Sequence, residues 1–278
     1  MFAGFNLKLS DSLFGDEFQK YVDIAKFNHG LYPANLNAEM TDIIVNHFVD
    51  GTALNGDLIL KTWFPKFRVD VFISHSHADK KLANAFAGWL YDNFKITSFI
   101  DSNVWGYIDD LLAILNDRYS YKRSNGKYGY IYDHNCCSKA SQHANIMLLM
   151  SLQTMIDNSE AVFFLNTDNA VKVIDEGGLC STYSPWIYAE LLCADLIRKI
   201  PLEEYRTRDF LEHFELNNMN ESRAELKIQY NVSTEHLYEL SENDMYKWLS
   251  QFRVNRNVLP MDLLYKLFLK EVLNNNVA

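Results

Sequence analysis

The sequence predicts an α/β fold in which a parallel sheet is covered by helices. Three stretches predict it. Val69-Asp70-Val71-Phe72-Ile73-Ser74-His75-Ser76-His77-Ala78-Asp79 opens as a β-branched and aromatic run and ends in hydroxyls, imidazoles and a carboxylate. Such a run reads as a strand buried on both faces. Its polar end then lies at the carboxyl edge, where parallel sheets hold their ligands. Leu82, Phe86, Trp89 and Leu90 recur at helical spacing over residues 79–94, which makes an amphipathic helix. Ile96-Thr97-Ser98-Phe99-Ile100-Asp101 reads as a second strand ending in a carboxylate, so the three together make a βαβ unit.

In chain order, residues 1–66 read as helical. Phe18, Tyr21, Val22 and Ile24 make one apolar stripe, Met40, Ile43 and Phe48 a second, and Leu58, Ile59 and Trp63 a third, stopped by Pro65. After Asp101, Ser102-Asn103-Val104-Trp105-Gly106-Tyr107 reads as a loop with one glycine, followed by a helix carrying Ile108, Leu111, Leu112 and Leu115. Residues 119–137 have no clean period and carry tyrosines at 119, 121, 128, 130 and 132. A connection that long is uncommon unless it is functional or mobile. A helix over 142–158 and a buried strand, Ala161-Val162-Phe163-Phe164-Leu165, follow, the strand ending in Asn166-Thr167-Asp168. Ser184 caps the next helix and Pro185 takes its first position, where no N–H is needed. Beyond Pro201 the pattern predicts a strand over 226–232 and helices over 238–252 and 259–273.

Bulk properties narrow the function. A net charge of −10 without a basic stripe disfavours nucleic-acid binding. No apolar run approaches membrane-spanning length, and the first fifteen residues do not read as a signal peptide. The expected location is therefore the cytoplasm. Four cysteines, two of them adjacent, make no disulfide framework, so the sequons at Asn220 and Asn231 are expected to carry no glycan. His134, Cys136, Cys137 and His143 match no standard zinc spacing, and no metal is expected. Neither common phosphate-binding loop is present, so ATP hydrolysis has no support.

If the strands are parallel, Ser74-His75-Ser76, residues 101–106 and Asn166 to Asp168 meet at one edge. The helix carrying Trp186 and Glu190, four apart and so on one face, flanks that edge. A carboxylate beside an indole, with hydroxyls and a glycine nearby, suits a flat, hydroxyl-bearing ligand such as a nucleotide. A glutamate can bind a ribose diol and stabilise an oxocarbenium-like state. The plainer readings are a surface glutamate on an ordinary helix and a core indole. His75 and His77 alternate along the strand end, so at most one of them faces the site.

These residues resemble the TIR (Toll/interleukin-1 receptor) domain family. Val69 to Ser76 resembles its opening strand, Asp79 the start of its first helix, and Phe99-Ile100-Asp101 its second strand. Ser102 to Gly106 resembles the following loop, Ser159 to Asn166 the fourth strand, and Trp186-x-x-x-Glu190 the Trp-x-x-x-Glu of the catalytic helix. The resemblance covers roughly residues 68–235. It implies a flavodoxin-like parallel sheet and, as in enzymatic members, cleavage of NAD at the nicotinamide–ribose bond. Glu190 falls on the essential glutamate, and Trp186, Ser74, His75, Ser76, Asp101, Trp105 and Gly106 on the substrate pocket. Bacterial members make ADP-ribose-derived signals in anti-phage defence, including Thoeris systems, and complete their sites by assembly.

The reading is thus a flavodoxin-like sheet with helical N- and C-terminal additions. It divides into a helical extension (1–66), a TIR-like domain (67–235) and a helical C-terminal segment (236–278). The expected function is NAD cleavage by a homo-oligomer, with NAD as substrate rather than cofactor and a downstream effector reached through a nucleotide signal. The alternatives are a non-catalytic interaction module and a nucleoside deoxyribosyltransferase-like enzyme.

Overall fold

A computed structural model describes residues 1–29, 48–49, 53–54, 56, 59–60, 69–100, 102–124, 130–173, 180–201 and 230–269. The chain begins with strand β1 (Ala3–Lys8) and helix α1 (Phe18–His29), then a two-residue strand pair, β2 (Phe48–Val49) and β3 (Ala53–Leu54). Next come β4 (Val71–Ser74), α2 (Lys80–Phe94), β5 (Ser98–Ile100) and α3 (Ser102–Tyr119). A hairpin of β6 (Lys122–Ser124) and β7 (Tyr130–Tyr132) leads to α4 (His134–Asn158), β8 (Ala161–Leu165), β9 (Lys172–Val173), β10 (Cys180–Thr182) and α5 (Pro185–Leu196). The chain closes with β11 (Tyr230–Val232), β12 (Tyr238–Ser241), α6 (Glu242–Val254) and α7 (Pro260–Phe268).

The main sheet has five strands in the order β12-β1-β8-β4-β5, and every neighbouring pair is parallel. The fold is therefore α/β. The opening strand, the second strand and the strand at 161–165 all form where the apolar runs predict them. Burial on both faces explains why those runs are continuous rather than alternating.

Strand parity separates the two faces. Phe5, Leu7, Val71, Ile73, Phe163 and Leu165 pack with α1, α2, α6 and α7 in one apolar cluster. Phe72, Phe99 and Val162 pack with α3, α4 and α5 on the other face, and Phe164 with Ile187 and Leu191 beside them.

Four stretches differ from the sequence reading. The N-terminal stretch, read as helical, holds a strand in the interior of the sheet, between β12 and β8. Ala3, Phe5 and Leu7 alternate with Gly4, Asn6 and Lys8, and β1 is paired on both sides. Residues 238–241, read as the start of a helix, are strand β12. The helix begins one residue later at a capping box, in which Ser241 and Asp244 each bond the other's backbone N–H. Residues 102–107, read as a loop, are the first turns of α3. The apolar period continues through Leu111 and Leu115, and one glycine costs about 1 kcal/mol in a helix, too little to end it. Within the tyrosine-rich segment Tyr119 ends α3, β6 and β7 pair antiparallel with Tyr121 and Ile131 exposed, and α4 begins at His134 rather than at 142; residues 125–129 lie outside the described residues. Of the second and third apolar stripes near the N-terminus, most lies outside the described residues.

Candidate active site

Ser74 is the last residue of β4 and, by parity, points to the face covered by α5. Helix α5 starts as its sequence indicates. Ser184 accepts a hydrogen bond from Ile187 N, Pro185 occupies the first turn, and Ser184 N donates to Thr182 Oγ1 at the end of β10. The antiparallel sheet β11-β10-β9 thereby fixes the N-terminus of α5. One side of the helix enters the core: Ile187, Glu190, Leu191, Cys193 and Ala194 are all buried.

Glu190 sits on that buried side and is 2% exposed. Ser74 Oγ donates to Glu190 Oε2 over 2.6 Å, joining residues 116 apart in sequence. A carboxylate taken out of water costs several kcal/mol unless donors meet it, and a hydroxyl-to-carboxylate bond of this length is of the strong, charge-assisted kind. Cys193, one turn on, has its thiol pKa pushed up by burial, partly offset by Gln153 and raised again by the Glu190 charge. It is a poor nucleophile as a result.

The other expected residues divide. His75 is 2% exposed, with Nδ1 3.3 Å from the Ile73 carbonyl oxygen. Ser76 is half-buried, and its carbonyl accepts from Asp79 N at the turn into α2. His77 is exposed, so only His75 of the two histidines is turned inward. Trp186 is half-buried and packs against the cluster of Phe72 and Val162, the position of a partly covered core indole. Asp101 lies outside the described residues. Trp105 and Gly106 are in the first turns of α3, and their side chains also lie outside them.

The carboxyl ends of β4 and β8 are tied together, because the Asp79 carboxylate accepts from Thr167 Oγ1 and from Asn169 Nδ2. A cavity of about 880 Å³ opens at the same edge of the sheet, one strand further on, beyond β1 and β8. Lys8, Asn166, Asp168, Lys172 and Glu242 supply its polar wall. Ser74 and Glu190 are not among the residues that line it. The sequence offered one sign of this cavity, the polar Asn166-Thr167-Asp168 after the apolar strand. Lys8 ends β1, a strand that the sequence reading took as helical, and Glu242 opens α6, inside the helix read over 238–252. Among the described residues, no group of three or more His, Cys, Asp or Glu side chains could hold a metal ion, and no helix is long and apolar enough to cross a membrane.

What the fold and site define is an α/β protein with a parallel five-stranded sheet and a buried, hydrogen-bonded carboxylate behind one strand end. Compared with protein-family models, with curated proteins and with solved structures, the chain matches none.

Proposed function

We propose that the chain is a TIR-type, flavodoxin-like enzyme that cleaves NAD at the nicotinamide–ribose bond, with Glu190 as its catalytic carboxylate. One observation carries the reading. Ser74 and Glu190, singled out separately from the sequence, meet at 2.6 Å where a parallel sheet places its chemistry. Active sites are enriched in buried titratable groups held by specific partners, which makes Glu190 at a strand end a functional candidate on physical grounds.

In the proposed reaction the C–N bond breaks and nicotinamide leaves with the bonding pair. The cation left on the ribose is stabilised by the Glu190 carboxylate, and water or an internal nucleophile then attacks the same carbon. Ser74 holds the carboxylate's orientation. The product is an ADP-ribose-derived signal for a downstream effector, and the active form is a homo-oligomer in the cytoplasm, in the setting of bacterial antiviral defence.

The burial of Glu190 favours a second reading, a non-catalytic interaction module in which the Ser74–Glu190 bond only ties α5 to the sheet. At 2% exposure the carboxylate meets a dinucleotide only if the end of α5 or a neighbouring segment moves.

The experiment is nicotinamide release from NAD by the purified chain and by Glu190→Gln, over a range of protein concentrations. The parent is expected to release nicotinamide and the variant to lose a factor of about a hundred or more, with unchanged circular dichroism. Equal rates would remove Glu190 from the chemistry. An inactive parent at every concentration would leave the interaction module.

A further inference from the structure

The connections of β1 and β8 leave the sheet on opposite faces. Strand β1 leads into α1, which packs with Phe5 and Leu7, whereas β8 leads through β9 and β10 into α5, which packs with Phe164 on the other side. From β1 the sheet continues at β4, two places to one side, and from β8 it continues at β12, two places to the other. Neighbouring strands whose connections diverge in this way leave a crevice outside their carboxyl ends, the place where open parallel sheets bind ligands. The cavity of about 880 Å³ lies there, lined by Lys8 and Leu9 after β1 and by Asn166, Asp168, Val171 and Lys172 after β8. Its volume falls in the range of small-molecule sites.

Its chemistry is specific. In a chain of net charge −10, two lysines face one hollow. Both can be recruited. Lys8 pairs with Glu239 at 3.9 Å with both side chains mostly in water, a weak contact that a stronger anion displaces. Lys172 lies 5.9 Å above the Tyr183 ring and is exposed. Asp168 and Asn166 offer acceptors for sugar hydroxyls, and Leu9 and Val171 an apolar wall. The rim is pre-formed, because the Glu242 carboxylate accepts from Ser10 N and Oγ at 2.6 and 2.8 Å and from Ser12 Oγ at 2.6 Å, which pins the loop after β1.

We propose that this crevice is a second binding site, separate from Glu190, and that it takes a nucleoside diphosphate. The lysines hold the diphosphate, Asp168 receives the ribose hydroxyls, and the base lies against Leu9 and Val171. This inference does not depend on NAD cleavage.

The test is isothermal titration of ADP into the full chain, into Lys8→Ala/Lys172→Ala, into Asp168→Ala and into Glu190→Gln. Saturable binding at one site is expected in the parent. It should weaken at least about tenfold in the double lysine variant, the equivalent of about 1.4 kcal/mol. It should weaken in Asp168→Ala and persist in Glu190→Gln. Absence of saturable binding at millimolar ADP overturns the proposal, as does equal affinity in the lysine variants. Loss only in Glu190→Gln places ADP at the Ser74 end, which overturns the second site while leaving the NAD reading intact. Inorganic phosphate that competes as well as ADP overturns the nucleoside part.

Discussion

Gly88 lies in α2 where that helix meets α1, and replacing it by alanine tests the packing of the face opposite Glu190. A Cβ built on Gly88 would stand 1.8 Å from the Tyr21 carbonyl oxygen, 2.6 Å from its carbonyl carbon and 2.9 Å from its Cα. An ordinary C···O approach is about 3.3 Å, so the helices must part locally by about 1.5 Å. The obstacle is backbone and has no rotamer through which to yield. A gap of that size forfeits much of the dispersion energy along the seam, to whose apolar cluster α1 contributes Tyr21, Val22 and Ala25 and α2 contributes Ala85 and Trp89. Overpacking costs about 3 kcal/mol at the upper end of its usual range, and alanine returns about 1 kcal/mol of helix propensity. The net expectation for Gly88→Ala is a loss of about 2 kcal/mol, or a fall in Tm of about 4–8 °C. Urea and thermal denaturation followed by circular dichroism measure it. A variant as stable as the parent, or more stable, would show that α1 and α2 do not approach each other this closely.

Ser74→Ala removes the hydroxyl that donates to the buried Glu190 carboxylate, and a loss of about 1.5–3 kcal/mol is expected by chemical denaturation. An unchanged midpoint would mean that the Ser74–Glu190 bond is not made. Trp186→Ala should lower Tm by less than the roughly 3–5 kcal/mol equivalent of a fully buried indole, because Trp186 is only half-buried; a full core-sized loss would refute that placement. His236 has its pKa lowered by burial, with Asp195 pulling it up and Lys199 down again. The folded state therefore binds this proton less readily than the unfolded chain. Stability is complete above the unfolded value of about 6.5 and falls as pH drops from there through the lower folded value. His236→Gln should flatten the stability profile below neutrality, and an identical slope in the variant would show that another group titrates.

The candidate site was readable to the extent that its residues stand in strong local patterns. Ser74 ends a continuous apolar run, and Glu190 follows a Ser-Pro helix start, so each could be placed on its element from the sequence. Their meeting could not be read that way, because a contact across 116 residues depends on β4 and β8 being neighbours and on α5 returning over that face. The burial of Glu190 was equally hidden. Helix α5 is apolar on most sides, so the buried side is selected by what packs against it rather than by its period.

By itself the sequence determined the α/β class, the strands at 71–74, 98–100 and 161–165, and the helices after the first and before the last of its clear polar edges. Those features follow from residue periodicity and capping, which act over a few positions. Only the tertiary structure decided that residues 3–8 form an interior strand of the sheet, between β12 and β8. Strand β1 is short, and its alternation of Ala3, Phe5 and Leu7 with Gly4, Asn6 and Lys8 acquires meaning only when β8 and β12 pair with it on both sides. The crevice at Lys8 and Lys172 has the same origin, since it exists between two strands whose connections leave on opposite faces, and no local stretch of sequence encodes which strands become neighbours.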